Sequence, residues 1–241
     1  MNNEGLCDLI IEYGESVLCP ICQDHPRFRS FYENFTEIGL GLSCEEAAKI
    51  VLTDKSPFSL IPLSDDGKTD SPTSDEEEML SIRLEMISLL EDKSRPIEKR
   101  IRALFDLAEC DMDALDFDEI SGFLLSLERL DASRDLLINS VRGIPPACLP
   151  NEIQRTLKNL CVYFIYRHMP RSLSDGDLFG AMLLSSFLCF LAWQIFARAY
   201  AKNDSLSLSS MISIARIISG ELEYSDENLD RITDEMLDIF E

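Results

Sequence analysis

The sequence predicts a mainly α protein, a multi-helix bundle that carries a short cysteine-rich cap at its N-terminus. After residue 75, apolar residues recur at helical spacing almost to the C-terminus. Several of these runs begin with Ser and an acidic residue three positions apart, which is typical of helix starts. Four of the eight cysteines lie within the first 44 residues, which sets the cap apart from the bundle. No unit of about 20–50 residues repeats, so we do not expect a solenoid.

The predicted cap covers residues 1–56. It opens with a short helix, and the aromatic and glycine-containing stretch 28–42 suits one or two extended pieces. Ser43 followed by Glu46 matches the capping box, in which a hydroxyl and a carboxylate bind free amide groups at the start of a helix. We therefore expect a helix that begins at Ser43 and ends near residue 52.

Residues 57–78 are predicted to form a linker or mobile loop, ahead of a helical domain over 79–241. Pro, Gly, Ser, Thr and Asp are frequent in this stretch and favour turns over regular structure. Near its end, Ser74 and Glu77 repeat the capping-box pattern. This stretch is therefore the best candidate for a domain boundary.

The helical domain is predicted to consist of amphipathic helices around one strongly apolar helix. Pro96 stands in a first helical turn, where its missing amide hydrogen costs nothing. Pro170 ends an aromatic helix, Ser174 with Asp177 marks the start of the apolar one, and Ser225 is placed to cap the last. The predicted helices cover residues 79–90, 97–108, 117–130, 133–141, 152–168, 178–197, 208–218 and 226–240.

The apolar stretch 178–197 contains no charged residue and is long enough to span a bilayer. It also contains Ser185, Ser186 and Gln194, and it continues into the polar residues around Arg198. We favour a buried central helix over a membrane span, with an oligomer interface as a third interpretation. No membrane partner is therefore expected.

Composition indicates a globular protein. The 241 residues are 46% hydrophobic and 27% charged, outside the disordered class. The net charge of −22 argues against general nucleic-acid binding, which needs a basic face. The N-terminus shows no secretory pattern, so we expect a cytoplasmic protein whose thiols stay reduced or bind metal.

The cysteines of the cap are the main candidates for chemistry. Cys19-x-x-Cys22 resembles half of a metal knuckle, because two thiolates one turn apart can bind the same ion. Cys7 and Cys44 stand alone in the sequence, and their spacing fits neither a standard zinc site nor a standard four-iron cluster. From spacing alone, a metal site, structural thiols and a redox pair all stay open. Cys44 has the further feature of standing at a helix start, where the dipole stabilises a thiolate.

Arg27 and Arg29 flank Phe28, close to these cysteines. Together they could hold an anion such as the carboxylate of a cofactor. A surface salt bridge explains them equally well. Both interpretations stay open.

Two further basic groups each have two interpretations. His25 is either a metal ligand or an ordinary hydrogen-bonding residue, and Arg167-His168 either reaches a pocket or neutralises a helix C-terminus. No P-loop, nucleophile elbow, dinucleotide fingerprint or zinc-protease motif is present, and two histidines cannot build a histidine-rich metal site.

Several blocks of the chain resemble bacterial flagellin lysine-N-methylases. In the cap they are Gly5-Leu6-Cys7, Cys22-x-x-His25-Pro26-Arg27-Phe28 and Leu42-Ser43-Cys44-Glu45-x-Ala47-Ala48. Further along they are Asn159-Leu160 with Tyr163-Phe164-Ile165-Tyr166-Arg167-His168, Asp175-Gly176-Asp177-Leu178 and Glu223-Tyr224-Ser225-x-Glu227-Asn228. The likeness thus involves residues near both ends of the chain, whereas the middle matches the family only loosely.

The resemblance implies methyl transfer from S-adenosylmethionine to lysine side chains of flagellin, in a protein with a cysteine-ligated iron–sulfur cluster. Cys7, Cys22 and Cys44 match the cluster positions, with Cys19 as an extra candidate. Family members usually carry an earlier segment with a further cysteine cluster, which this sequence lacks. We therefore expect either a truncated, inactive member or one that uses Cys19 as a substitute ligand. The alternative is a non-catalytic helical interaction protein with structural thiols or a zinc site.

Overall fold

A computed structural model describes residues 8–63 and 71–240 of the chain. Helices make up 69% of the structure, and the described residues form one two-stranded sheet. The predicted mainly α, multi-helix fold is thus confirmed. Gly5-Leu6-Cys7, including the predicted ligand Cys7, lies outside the described residues.

The cap consists of three helices and a β-hairpin. The hairpin is antiparallel and pairs Arg27 with Leu40 and Phe31 with Thr36 at its two ends. The extended pieces predicted within 28–42 are therefore strands of one hairpin. The elements are α1 Asp8–Tyr13, α2 Pro20–Asp24, β1 Arg27–Phe31, β2 Thr36–Leu40 and α3 Glu45–Thr53, with a 3₁₀ turn at Glu15–Val17.

The capping box predicted at Ser43 is wrong. Helix α3 begins at Glu45, and its N-cap residue is Cys44, which makes no capping hydrogen bond through its side chain. The hydroxyl of Ser43 instead donates to the phenol oxygen of Tyr224 over 3.0 Å. A tertiary partner has thus taken the hydroxyl that the local pattern assigned to the helix.

The capping box predicted at Ser74 and Glu77 exists one residue earlier. Thr73 accepts from the amide of Glu76, and the Glu76 carboxylate accepts from the amide of Thr73. The same carboxylate also accepts from the amide of Glu33 at the hairpin turn, over 2.7 Å. The capping box therefore uses Glu76 and not Glu77, because the Glu76 carboxylate binds the amides of both Thr73 and Glu33.

The bundle follows the predicted helices closely at most of their ends. Three ends differ by four residues or more: the helix predicted over 79–90 begins at Ser74, that over 178–197 continues to Asn203, and that over 117–130 ends at Ser126. Beyond Ser126 the carbonyls of Leu127 and Glu128 accept hydrogen bonds from Arg134. The helices are α4 Ser74–Glu91, α5 Ile97–Leu107, α6 Phe117–Ser126, α7 Ser133–Val141, α8 Asn151–His168, α9 Ser172–Asp175, α10 Leu178–Asn203, α11 Leu208–Ile218 and α12 Asp226–Phe240; a π-helical turn follows α11 at Ser219–Glu223.

Helix α10 is the central element of the bundle. It contacts α5, α7, α8, α11 and α12. It is long and apolar enough to cross a membrane, yet 89% of its most apolar window is buried against the other helices. Its N-cap is Asp177, whose carboxylate accepts from the amide of Gly180 over 2.7 Å.

The cap and the bundle share one hydrophobic core. Leu42, Ala48 and Leu52 belong to the same buried cluster as the α8 and α10 side chains. Within the predicted linker, the described residues before Ser74 carry no helix or strand, and α4 already begins at Ser74. The division into a cap, a linker and a helical domain stays a prediction.

Candidate functional site

Cys19 and Cys22 lie together at the start of α2. Cys19 is the N-cap residue of this helix, and both side chains are exposed. The backbone amide and the thiol of Cys22 donate to the sulfur of Cys19 and lower the pKa of that thiol. The two sulfurs therefore form a pair one helical turn apart, as the Cys-x-x-Cys spacing predicts.

Cys44 lies at the N-cap of α3 and is half-buried. Helix α2, which carries the thiol pair, comes just before β1, and Cys44 comes four residues after the end of β2. Both therefore connect to the open end of the hairpin, where Arg27 pairs with Leu40. Across residues 8–63 and 71–240, no three His, Cys, Asp or Glu side chains are grouped closely enough to hold a metal ion.

This arrangement bears on the iron–sulfur cluster that the resemblance implies. A cubane cluster takes four thiolates. The described part of the chain brings two of them together, Cys19 and Cys22, and does not group Cys44 with the pair. Among the described residues the donor set is therefore incomplete.

Arg27 and Arg29 line a wide, open depression together with Pro20, Ile21 and Asp24. The guanidinium of Arg29 binds both carboxylate oxygens of Asp24 and lowers the pKa of that carboxyl. Arg27 donates to the backbone carbonyl of Gln23 over 3.2 Å. The salt-bridge interpretation of Arg29 thus has a named partner, and the role of the two arginines in anion binding stays a prediction.

A buried carboxylate, Glu223, forms the centre of a second site. Its side chain is fully buried at the end of the π-helical turn after α11. It accepts from the phenol of Tyr163 over 2.9 Å and from Nε2 of His168 over 2.6 Å, and Nε of Arg167 lies 3.6 Å away. Tyr163 and Arg167 are four residues apart on α8 and so lie on one face of that helix, adjacent to His168.

Arg167 joins this cluster to the hairpin. Its Nη1 donates to the Tyr163 phenol over 2.9 Å. Its guanidinium lies 4.8 Å from the ring centre of Phe28 and 5.2 Å from that of Tyr224. Cations over aromatic faces are attracted by the ring quadrupole, more strongly where water is excluded. We call Phe28, Tyr163, Arg167, His168, Glu223 and Tyr224 the Glu223 cluster.

Burial and neighbouring groups together set the pKa values of Glu223 and His168. Burial raises the pKa of Glu223, but Arg167 and His168 outweigh it and hold the pKa below its ordinary value. Burial also lowers the pKa of His168, more than its bond to Glu223 raises it. At neutral pH the cluster therefore contains one carboxylate, one guanidinium and a neutral imidazole that donates from Nε2.

Gly41 lies where the hairpin meets the Glu223 cluster. Its amide donates to the carbonyl of Pro26 over 2.7 Å. A Cβ at this position would come within 2.6 Å of the Tyr224 phenol oxygen and 3.3 Å of Nη1 of Arg167. The close approach of cap and bundle here needs a residue without a side chain.

A second buried ion pair connects the hairpin to α4. Arg83 donates from both terminal nitrogens to Glu37 on β2, over 2.6 and 2.7 Å. The phenol of Tyr32 completes the group, donating to Glu37 and accepting from Arg83. Such a bidentate pair gives directional specificity as well as energy.

Between these two ion pairs lies a pocket of about 350 Å³. It is bounded by the hairpin, the segment after α3 and α8. Four aromatic rings contribute to its wall, along with aliphatic side chains, and we call it the aromatic pocket. The lining includes Phe28, Gly39, Leu40, Val51, Asp54, Phe58, Lys158, Asn159, Val162, Tyr163 and Tyr166.

Asn159 holds the segment after α3 against α8. Its side-chain amide donates to the carbonyls of Val51, Leu52 and Asp54, over 2.8–3.3 Å. On the opposite wall, the Tyr166 phenol donates to the carbonyl of Ile38 over 3.3 Å. Burial raises the pKa of Tyr166 to about 12, with Glu37 adding to the rise. The phenol is therefore protonated at neutral pH.

Sequence reasoning missed Glu223, Tyr163, Glu37 and Arg83 as site residues. Carboxylates are too numerous in this chain to rank by sequence, since 44 Asp and Glu residues are present. The one usable signal was Tyr163-x-x-x-Arg167-His168, which places three polar groups at the C-terminal end of the aromatic helix. For Arg167 and His168, the structure shows a buried carboxylate as the partner.

Comparison of the chain with models of protein families, with curated proteins and with solved structures found no match.

Proposed function

We propose that this chain is a flagellin lysine-N-methylase-like protein that transfers a methyl group from S-adenosylmethionine to lysine side chains of flagellin. One observation supports the proposal beyond the resemblance itself. Residues from four of the blocks that carry the resemblance, spread between Phe28 and Tyr224 in the sequence, meet at the Glu223 cluster.

The contacts between the blocks are direct. Phe28 packs edge-on against Tyr163 with ring centres 6.2 Å apart, and Ser43 binds Tyr224. His168 and Tyr163 bind Glu223. Chance matches scattered along a chain would have no reason to gather in this way, so the convergence favours one functional unit built from these blocks.

The position of each residue in the fold suggests its role. Arg167 and Glu223 hold the hairpin on α8, and the hairpin in turn carries the segments with Cys22 and Cys44. Cys7, Cys19, Cys22 and Cys44 are the proposed cluster ligands, taken from the resemblance.

Methyl transfer from radiolabelled S-adenosylmethionine to purified flagellin tests the activity. We expect transfer by the wild-type chain and at least about a tenfold loss in Cys22→Ala, the typical cost of disturbing a metal site. Cys148→Ala is the matched control, because Cys148 is also exposed but lies in the bundle. Absence of transfer by the wild type, or full activity of Cys22→Ala, would contradict the proposal.

Metal analysis of protein purified without oxygen tests the cofactor separately. A bound cubane cluster predicts about four irons per chain and a brown colour. Stoichiometric zinc, together with a melting temperature that falls on chelation, would favour a zinc-stabilised protein instead.

The second candidate is a non-catalytic helical interaction protein with structural thiols or a zinc site. The observation that favours it is the limited grouping of the cap thiols, since among the described cap cysteines Cys19 and Cys22 lie together and Cys44 is not grouped with them. Residues 221–241 contain nine carboxylates and one arginine, and the exposed ones on α12, such as Asp234 and Asp238, would suit a basic partner. Iron-free protein without transferase activity is the outcome expected from this candidate.

A further inference from the structure

The aromatic pocket presents ring faces in several directions. The Tyr166 ring centre lies 5.9 Å from that of Phe28 and 5.7 Å from that of Phe58, with both pairs tilted by 54°. Phe28 and Tyr163 are nearly perpendicular, at 79°. Because the rings are tilted rather than stacked on each other, they form separate walls around one space.

Two of these rings already bind cations on their protein-facing side. The guanidinium of Arg167 lies 4.8 Å from the centre of Phe28, and that of Arg83 lies 5.2 Å from the centre of Tyr166. Each guanidinium is neutralised by a buried carboxylate, Glu223 or Glu37. The wall behind the pocket therefore has polarised aromatic faces and no net positive charge.

The charged residues of the lining favour a positive ligand. Asp54 lies in the lining and accepts a hydrogen bond from the amide of Ser56, a contact that lowers the pKa of its carboxyl. Asp54 is therefore ionised at neutral pH. Lys158 also lines the pocket, but its ammonium is paired with Glu91 over 2.8 Å. Lys158 also acts on Asp54, whose pKa its charge lowers, so two carboxylates share one ammonium and one negative charge remains uncompensated beside the pocket.

We infer that the aromatic pocket binds an organic cation whose charged group is an alkylated ammonium or a sulfonium. Aromatic walls with a nearby carboxylate are a recurrent solution for such groups, because a bulky, weakly hydrated cation gains both apolar contact and quadrupole attraction. A volume of about 350 Å³ suits a head group or one long side chain.

The proposed function supplies two sources of this chemistry, a lysine side chain and the sulfonium of S-adenosylmethionine. Assigning the cation to either source rests on the proposed function. Binding of the cation itself does not, since it requires neither a cluster nor methyl transfer.

The test compares choline with its uncharged isostere 3,3-dimethyl-1-butanol, titrated into the full chain and followed by NMR chemical shifts. We expect choline to bind at least about fivefold more tightly, since the two differ in charge but hardly in shape. Equal affinities, or no choline binding at concentrations up to about 100 mM, would overturn the inference.

Two variants locate the binding. Phe58→Leu removes a half-buried ring outside any helix or strand, and Asp54→Asn removes the charge while keeping the shape. Each should weaken choline binding about three- to tenfold. If neither variant changes the affinity, choline binds elsewhere and the inference is wrong.

Matched controls exist for both variants. Phe31→Leu changes an exposed ring on the far end of the hairpin. Asp92→Asn changes an aspartate in the same setting as Asp54, since each follows a helix and accepts from the amide two residues on. Both controls should leave choline affinity unchanged.

Competition then identifies the source. Displacement of choline by Nα-acetyl-trimethyl-lysine amide assigns the pocket to the acceptor side chain, and displacement by S-adenosylmethionine assigns it to the donor. If neither competes, the assignment of the pocket to a lysine side chain or to S-adenosylmethionine is wrong. Cation binding itself is decided by the choline titration alone. A failed transferase assay alone would not affect the choline measurement.

Discussion

At the scale of single residues, the most informative group is His168. It is one of two histidines in the chain and is buried against Glu223, whereas His25 is exposed. Burial lowers the pKa of His168 in the folded protein. The unfolded chain therefore binds a proton at His168 at a higher pH than the folded chain does.

This difference predicts an acid-sensitive fold. As pH falls below about 6.5, the ordinary histidine value, the unfolded state takes up a proton that the folded state resists, so stability falls by at most about 1.4 kcal/mol per pH unit. Glu223, whose pKa is also lowered, adds to the loss at lower pH. Denaturant unfolding between pH 7 and 5 should show this slope in the wild type.

His168→Gln should flatten that slope, because the titrating group is gone while a side-chain amide can still donate to Glu223. His25→Gln is the matched control and should leave the slope intact. A slope unchanged in His168→Gln would show that other groups cause the pH dependence.

At the scale of elements, the hairpin depends on a glycine opposite an aromatic ring. Gly39 pairs with Phe28 in the register of the strands. A Cβ on Gly39 would come within 2.3 Å of Phe28 Cζ. The ring cannot easily move aside, because Tyr163, Tyr166 and Arg167 already pack around it.

Gly39→Ala should therefore destabilise the protein by about 1–3 kcal/mol, the usual cost of overpacking. It should also disturb the aromatic pocket, of which Phe28 forms a wall. Gly122→Ala in α6 is the control: nothing lies within 4 Å of the added Cβ, and alanine is the better helix former. Unfolding by urea, followed by circular dichroism, measures both; equal stability of the two variants would contradict the argument.

At the scale of the whole molecule, two buried ion pairs lie where the cap meets the bundle. One is Arg167 with Glu223, and the other is Arg83 with Glu37. The Arg83 side chain is 1% exposed and that of Glu37 is 7% exposed. A buried pair costs desolvation of both charges, so its net contribution is small, but breaking it leaves one charge without compensation.

Arg83→Met alone should thus lower the free energy of unfolding by about 3–5 kcal/mol, whereas the double variant with Glu37→Leu should recover much of the loss. Fluorescence of Trp193, the single tryptophan, reports unfolding of α10. Arg102→Met is the control, because its pair with Asp113 is at the surface and contributes at most about 1 kcal/mol. A double variant as unstable as the single one would argue against the charge explanation.

The helices could be predicted because apolar spacing along a helix involves residues only a few positions apart. Apolar spacing placed 133–141, 208–218 and 226–240 as the structure has them. Capping patterns placed two helix starts one or two residues away from their observed positions, as Thr73 and Ser43 show. Several nearby Ser, Thr and Glu residues match the same motif. Tertiary partners such as Glu33 and Tyr224 decide which match is used.

The sequence by itself determined the mainly α class, the extended pieces within 28–42, the central apolar stretch and the closeness of Cys19 and Cys22. Each depends on residues a few positions apart, whose relation is set by helix or strand geometry. Only the tertiary structure decided that Phe28, Tyr163 and Glu223 meet, that Arg83 neutralises Glu37, and that an aromatic pocket lies between the two ion pairs. Those contacts join residues 46 or more positions apart, and their partners are chosen by packing and charge compensation in the folded core, which no local spacing records.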